Sequence, residues 1–231
     1  MTPSQKTQNI FLICGYGVPN NIFEDPNYNA YLRPVFNEIY ESSLEQKSCI
    51  IIASGGHTAS TKPYNRSEGE AIVKFLKNLA QRPFVKKQTR SWTLLAEKES
   101  LSTLENLLFC EKILKKRKIS QANLYVFCEQ TRAQRIKILS RKIFSKKWNI
   151  KVEPINFDIS ANHYLDPKFI VTKEKTELQH SLWALENPKN LKEHHRVFEE
   201  KFKILRSVDP KYHQESIKKW WTEKLQKTHK A

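Results

Sequence analysis

Cys49-Ile50-Ile51-Ile52-Ala53-Ser54-Gly55-Gly56-His57 runs from unbroken apolar residues straight into paired glycines and a polar turn. A short segment that is apolar at every position reads as a strand buried on both faces, the kind found inside parallel sheets. The glycines at its end mark the handover from strand to helix. The same punctuation occurs twice more: Ile10 to Cys14 leads into Gly15-Tyr16-Gly17, and Trp92 to Ala96 leads into Glu97-Lys98-Glu99-Ser100. Leu124 to Cys128 and Val152 to Phe157 complete a set of five expected strands.

Between these runs the apolar period becomes helical. Ala71, Ile72, Phe75, Leu76 and Leu79 fall on one face, as do Leu104, Leu107, Leu108, Ile113 and Leu114. Residues 132–144 turn Ile136, Leu139 and Ile143 inward, and residues 28–43 supply the first crossover helix, with Pro34 expected in its first turns. Strand and helix in alternation predict an α/β domain on a mainly parallel sheet, whose strand-to-helix loops gather at the carboxyl edge where ligands bind. After about Ser160 the alternation stops. Residues 174–186, 191–206 and 211–227 read as helices separated by Pro188 and Asp209-Pro210. The expected division is an α/β domain over 1–158 and a helical C-terminal extension over 159–231, docked through Ile217, Trp220, Trp221 and Leu225.

Forty Lys and Arg against 24 Asp and Glu leave the 231-residue chain at +16, and residues 111–160 alone carry +9. Such a surplus favours anionic partners without specifying a fold. Nucleic acid is one such partner, although no nucleic-acid motif accompanies the charge. Lys115-Lys116-Arg117-Lys118 at a helix end also suits the helix dipole with no partner. Cys14, Cys49, Cys110 and Cys128 form no CxxC pair and no zinc spacing, so a reduced protein with no metal ligands is expected. With no secretory leader pattern and no apolar run of membrane-spanning length, a soluble cytoplasmic chain is expected.

The loops offer several candidates for chemistry. Gly15-Tyr16-Gly17 lacks the third glycine of a dinucleotide fingerprint, since position 20 is Asn20, and this disfavours a standard NAD site. Gly55-Gly56 is either an anion-holding concavity or a turn that needs only glycine's backbone freedom. His57 stands beside it as a proton-transfer candidate or an ordinary surface histidine. Arg66, Arg132 and Arg135 could each grip a phosphate or carboxylate through the guanidinium fork. Ser67 with Glu70 and Ser102 with Glu105 have capping-box spacing, which competes with any catalytic role for those glutamates.

Taken in order, Gly15-Tyr16-Gly17, Ala53-Ser54-Gly55-Gly56, Ser67-Glu68-Gly69-Glu70-Ala71 and Glu97-Lys98-Glu99-Ser100-Leu101-Ser102-Thr103-Leu104-Glu105-Asn106 resemble the YdcF/SanA/ElyC family over about residues 9–157. The resemblance implies a Rossmann-like three-layer α/β sandwich with a cleft at the strand ends, and a nucleotide-like ligand such as S-adenosylmethionine. Carried over by position, its cleft residues are Gly15, Gly17, Ser54, Gly55, Gly56, Glu68, Glu97, Ser100, Thr103, Glu105 and Asn106. Arg135 matches the family arginine after the fourth strand, while the histidine expected there is absent and Arg132 falls near its place. The expectation is a domain binding a small anionic or nucleotide-like ligand, with His57, Glu97 and Glu105 as acid/base candidates and Arg132 and Arg135 holding negative charge. Whether a transferase or hydrolase reaction occurs is left open. The alternative is a non-catalytic nucleic-acid-binding or scaffold protein using the basic surface.

Overall fold

A computed structural model describes residues 8–44, 48–157 and 169–228. Five strands form one all-parallel sheet: β1 Asn9–Cys14, β2 Cys49–Ser54, β3 Trp92–Glu97, β4 Asn123–Glu129 and β5 Asn149–Ile155, in the order β3-β2-β1-β4-β5. Every residue of the central β1 and β2 is buried, which is why they carry no polar alternation. Their side chains divide between two cores. Phe11, Ile13, Ile51 and Ala53 face α1 (Pro26–Ser43) and α2 (Glu68–Ala80), with the short α3 (Pro83–Thr89) beside them. Ile10, Leu12, Ile50 and Ile52 face α4 (Thr103–Lys116) and α5 (Ala133–Ile143). The result is a three-layer Rossmann-like α/β sandwich.

Two boundaries differ from the sequence reading. α1 begins at Pro26, because the Asp25 carboxylate accepts from the Tyr28 N–H at 2.9 Å and caps it, so Pro34 lies well inside the helix. β5 begins three residues earlier than expected. It is an edge strand with partly exposed residues, so its apolar signal is weak.

The chain then adds α6 (Ile170–Ala184), α7 (Pro188–Ser207) and α8 (His213–Trp220), the last continuing through a π-helical turn, Trp221–Leu225, into α9 (Gln226–Thr228). Val197, Phe198, Phe202, Leu205, Ile217, Trp220, Trp221 and Leu225 form a third core, on which Leu101 and Phe157 of the α/β body pack. Burying each such side chain is worth about 1.5–3 kcal/mol, enough to hold the extension on the body. Arg135 of α5 fastens it electrostatically: its guanidinium meets Glu174 at 2.7 Å and Glu177 at 2.6 Å, all three largely buried. The expected domain boundary at 158 and 159 lies outside the described residues.

Candidate functional site

The sheet order reverses between β1 and β4, and the crevice above such a switch point is where open α/β sheets bind ligands. Here α6 and α7 roof it, leaving a cavity of about 90 Å³. The body contributes Gly15, Tyr16, Gly17, Gly55, Thr58, Glu68, Ser100, Thr103, Asn106 and Arg132, and the extension contributes Lys173, Glu177, Phe198, Lys201 and Trp221.

The glycine loops make room for one carboxyl group. A Cβ on Gly15 would sit 2.0 Å from the carboxyl carbon of Glu68, and one on Gly55 would sit 2.5 Å from its Oε2. Glu68 Oε1 accepts from the Gly17 N–H at 2.5 Å and meets the Tyr28 hydroxyl. Tyr28 has a single proton and a second acceptor, Gly17 O, at 2.7 Å. Both oxygens are satisfied together when Glu68 itself carries a proton. Burial favours that state, pushing the Glu68 carboxyl above its ordinary range against the pull of Tyr28, Gly17 and Arg132.

The remaining glycine amides are spent inside the protein. Gly15 N–H donates to Ser54 O at 2.9 Å, Gly55 N–H to Glu97 O at 3.2 Å, and Gly56 N–H to Ser100 O at 2.7 Å. The paired glycines are therefore a tight structural turn, and a Cβ on Gly56 would strike Ser100 O at 2.5 Å.

The cavity's positive charge comes from side chains. Arg132 donates to Gly15 O at 2.7 Å; burial works against its charge, and the Glu174 and Glu129 carboxylates outweigh that. Lys201 lies over the rings of Phe202 at 5.1 Å and Trp221 at 5.4 Å, and burial lowers its ammonium to about 8 against the pull of Glu177. Lys173 pairs with Glu174 at 2.5 Å. Thr58 Oγ1 of the body and Trp221 Nε1 of the extension, both on residues lining the cavity, are buried with no hydrogen-bond partner among the described residues.

Of the residues expected from sequence, Gly15, Gly17, Gly55, Glu68, Ser100, Thr103, Asn106 and Arg132 come together at this cavity. Six others do not. Ser54 Oγ and Ser100 Oγ each donate to Glu97 at 2.5 Å, and the amides of Glu99 and Ser100 fill its other oxygen, so Glu97 acts as a knot tying the β3 loop. Gly56 is buried in the turn. Arg135 is committed to Glu174 and Glu177. Glu105 and His57 border a separate groove. Arg66 is likewise occupied, donating to the carbonyls of Pro63, Pro19 and Thr61.

Lys173, Lys201 and Trp221 were not expected at the site. Their signal was a charge inside an apolar stripe: Lys201 follows Val197 and Phe198 and precedes Phe202 and Leu205 at helical spacing. All four cysteines are free and buried; Cys14 is pushed up to about 12 by burial, which keeps its thiol protonated. Among the described residues no three His, Cys, Asp or Glu side chains converge as metal ligands, and no helix is long and apolar enough to cross a membrane. Comparison with family models, curated proteins and solved structures finds no match.

Proposed function

We propose that this chain binds a small anion, a phosphate or carboxylate of a nucleotide-like molecule, in the cavity between the sheet's switch point and the helical extension. One observation carries the reading: Arg132, Lys173 and Lys201 converge there, beside the orphaned buried polar atoms of Thr58 and Trp221. A space of about 90 Å³ suits the anionic group itself. A wider polar groove of about 490 Å³ shares Tyr16 and Gly17 with it and suits the rest of the molecule. Loop resemblance to the YdcF/SanA/ElyC family supports the same place, and we propose membership on that ground. Arg132, Lys173 and Lys201 outnumber Glu177, the ionised carboxylate on the same lining, which disfavours the sulfonium of S-adenosylmethionine and makes a phosphate-bearing ligand the better fit. If a reaction occurs, Glu68 is the acid/base group at the cavity.

Isothermal titration with inorganic phosphate, AMP and S-adenosylmethionine tests this. AMP should bind saturably and more tightly than S-adenosylmethionine, and Arg132→Ala should weaken it at least tenfold while leaving the circular dichroism spectrum unchanged. Absence of saturable binding, or full affinity in Arg132→Ala, would overturn the reading.

A further inference from the structure

On the far side of Leu101 and Phe202, which line both spaces, a second hollow of about 920 Å³ opens between α4 and α7. That size lies within the range of small-molecule sites. Its floor is apolar, built from Leu101, Leu108, Phe109, Leu191 and Phe202. One polar device stands in its wall. Glu105 is almost wholly buried, its Oε2 accepts from the Leu101 N–H at 2.6 Å, and its Oε1 lies 2.7 Å from His195 Nδ1. The imidazole thus directs Nδ1 at the carboxylate and keeps Nε2 for the groove side, where the nearest acid is Glu199 at 3.7 Å. The His195 side chain remains 41 % exposed, so a ligand can reach it.

The rim is cationic. Lys112, Lys192 and Lys203 border the groove, are exposed, and form no ion pair among the described residues. Lys98 is held by Glu70, and Arg206 by the carbonyls of His57 and Ala59, so these two are already engaged. Glu99 and Glu199 soften the surplus without reversing it.

We propose that this groove is a second binding site, for an amphipathic monoanion: an acyl chain of medium length ending in a carboxylate. The chain lies on Leu108, Phe109 and Leu191; the carboxylate meets the lysine rim and, with the ring protonated on both nitrogens so that Nδ1–H stays with Glu105, accepts from His195 Nε2–H. A nucleic-acid backbone would leave the apolar floor unused, and an uncharged lipid would leave the rim and His195 unused.

The experiment is titration of the full chain with decanoate, followed by calorimetry and by the NMR signals of the histidine rings. Decanoate should bind saturably and shift His195, with decanol and acetate each at least tenfold weaker. The double charge reversal Lys112→Glu/Lys203→Glu, on exposed positions that leave the fold intact, should weaken decanoate at least tenfold, as should His195→Ala. Arg132→Ala should leave it unchanged, which separates this site from the anion cavity. Decanol binding as well as decanoate, no saturable binding, or affinity surviving the charge reversal would each overturn the proposal.

Discussion

Gly15 and Glu68 show how one residue's absence of a side chain sets another's position. Because a Cβ at Gly15 would overlap the Glu68 carboxyl, Gly15→Ala should cost about 1–3 kcal/mol in urea unfolding. Paired with Glu68→Ala, the two losses should be clearly less than additive, and full additivity would dissociate the pair. Lys201 makes the opposite case, a charge kept where burial resists it. Its folded-state value of about 8 lies below the ordinary 10.5, so the unfolded chain holds a proton there that the native chain has released. Stability should therefore rise as pH climbs from 8 towards 10, and Lys201→Met should lose this rise while losing anion binding. Periodicity marks Lys201 as lying in a buried stripe but is silent on what the stripe faces. That is why the body's half of the cavity was legible in the glycine loops and the extension's half was not.

At the scale of elements, β1 and β2 were legible because runs buried on both faces have few other homes, and the edge strand β3 because its run stays apolar although partly exposed. β5, the other edge, shifted because Asn149, Lys151 and Pro154 occupy its exposed positions and interrupt the apolar signal. The serine caps were legible too, although the glutamates do not close the boxes: Glu70 turns to the Ser67 hydroxyl and Lys98, and Glu105 to the Leu101 N–H and His195. Ser67 accepts from the Glu70 N–H at 3.3 Å, and Ser102 from the Glu105 N–H at 3.2 Å. No spacing rule, however, revealed that α7 would dock on the start of α4, where His194 Nε2 lies 2.7 Å from Ser102 Oγ and His195 engages Glu105. His194 stacks on His180 at 4.9 Å, and its ability to take a proton is held well below 6.5 by burial first and by His180 next. Unfolding lets His194 protonate normally. Stability should thus be intact above pH 6.5 and fall below it by up to about 1.4 kcal/mol per pH unit. Denaturation curves from pH 7.5 to 5 should show this slope, and His194→Phe should flatten it.

At the scale of the whole molecule, body and extension are joined by a third core and by the Arg135 cluster. Arg135→Met would leave Glu174 and Glu177 with less compensation, Lys173 remaining beside them. A cost of about 3–5 kcal/mol is expected, read as a lower melting temperature and as protease cleavage within residues 170–228. An unchanged cleavage pattern would show that apolar packing alone holds the extension. Lys115, at the end of α4, lies about 14 Å along the helix from Asn106, the last α4 residue on the cavity wall, so Lys115→Ala should leave anion binding unaltered. Because the cavity's two walls belong to different parts of the chain, occupancy and docking form one coupled equilibrium. An anion that bridges Arg132 and Lys201 also acts as a tether, raising the docked population by its own binding energy. The reverse also holds: if the extension were docked only a tenth of the time, apparent affinity would fall about tenfold with every contact residue intact.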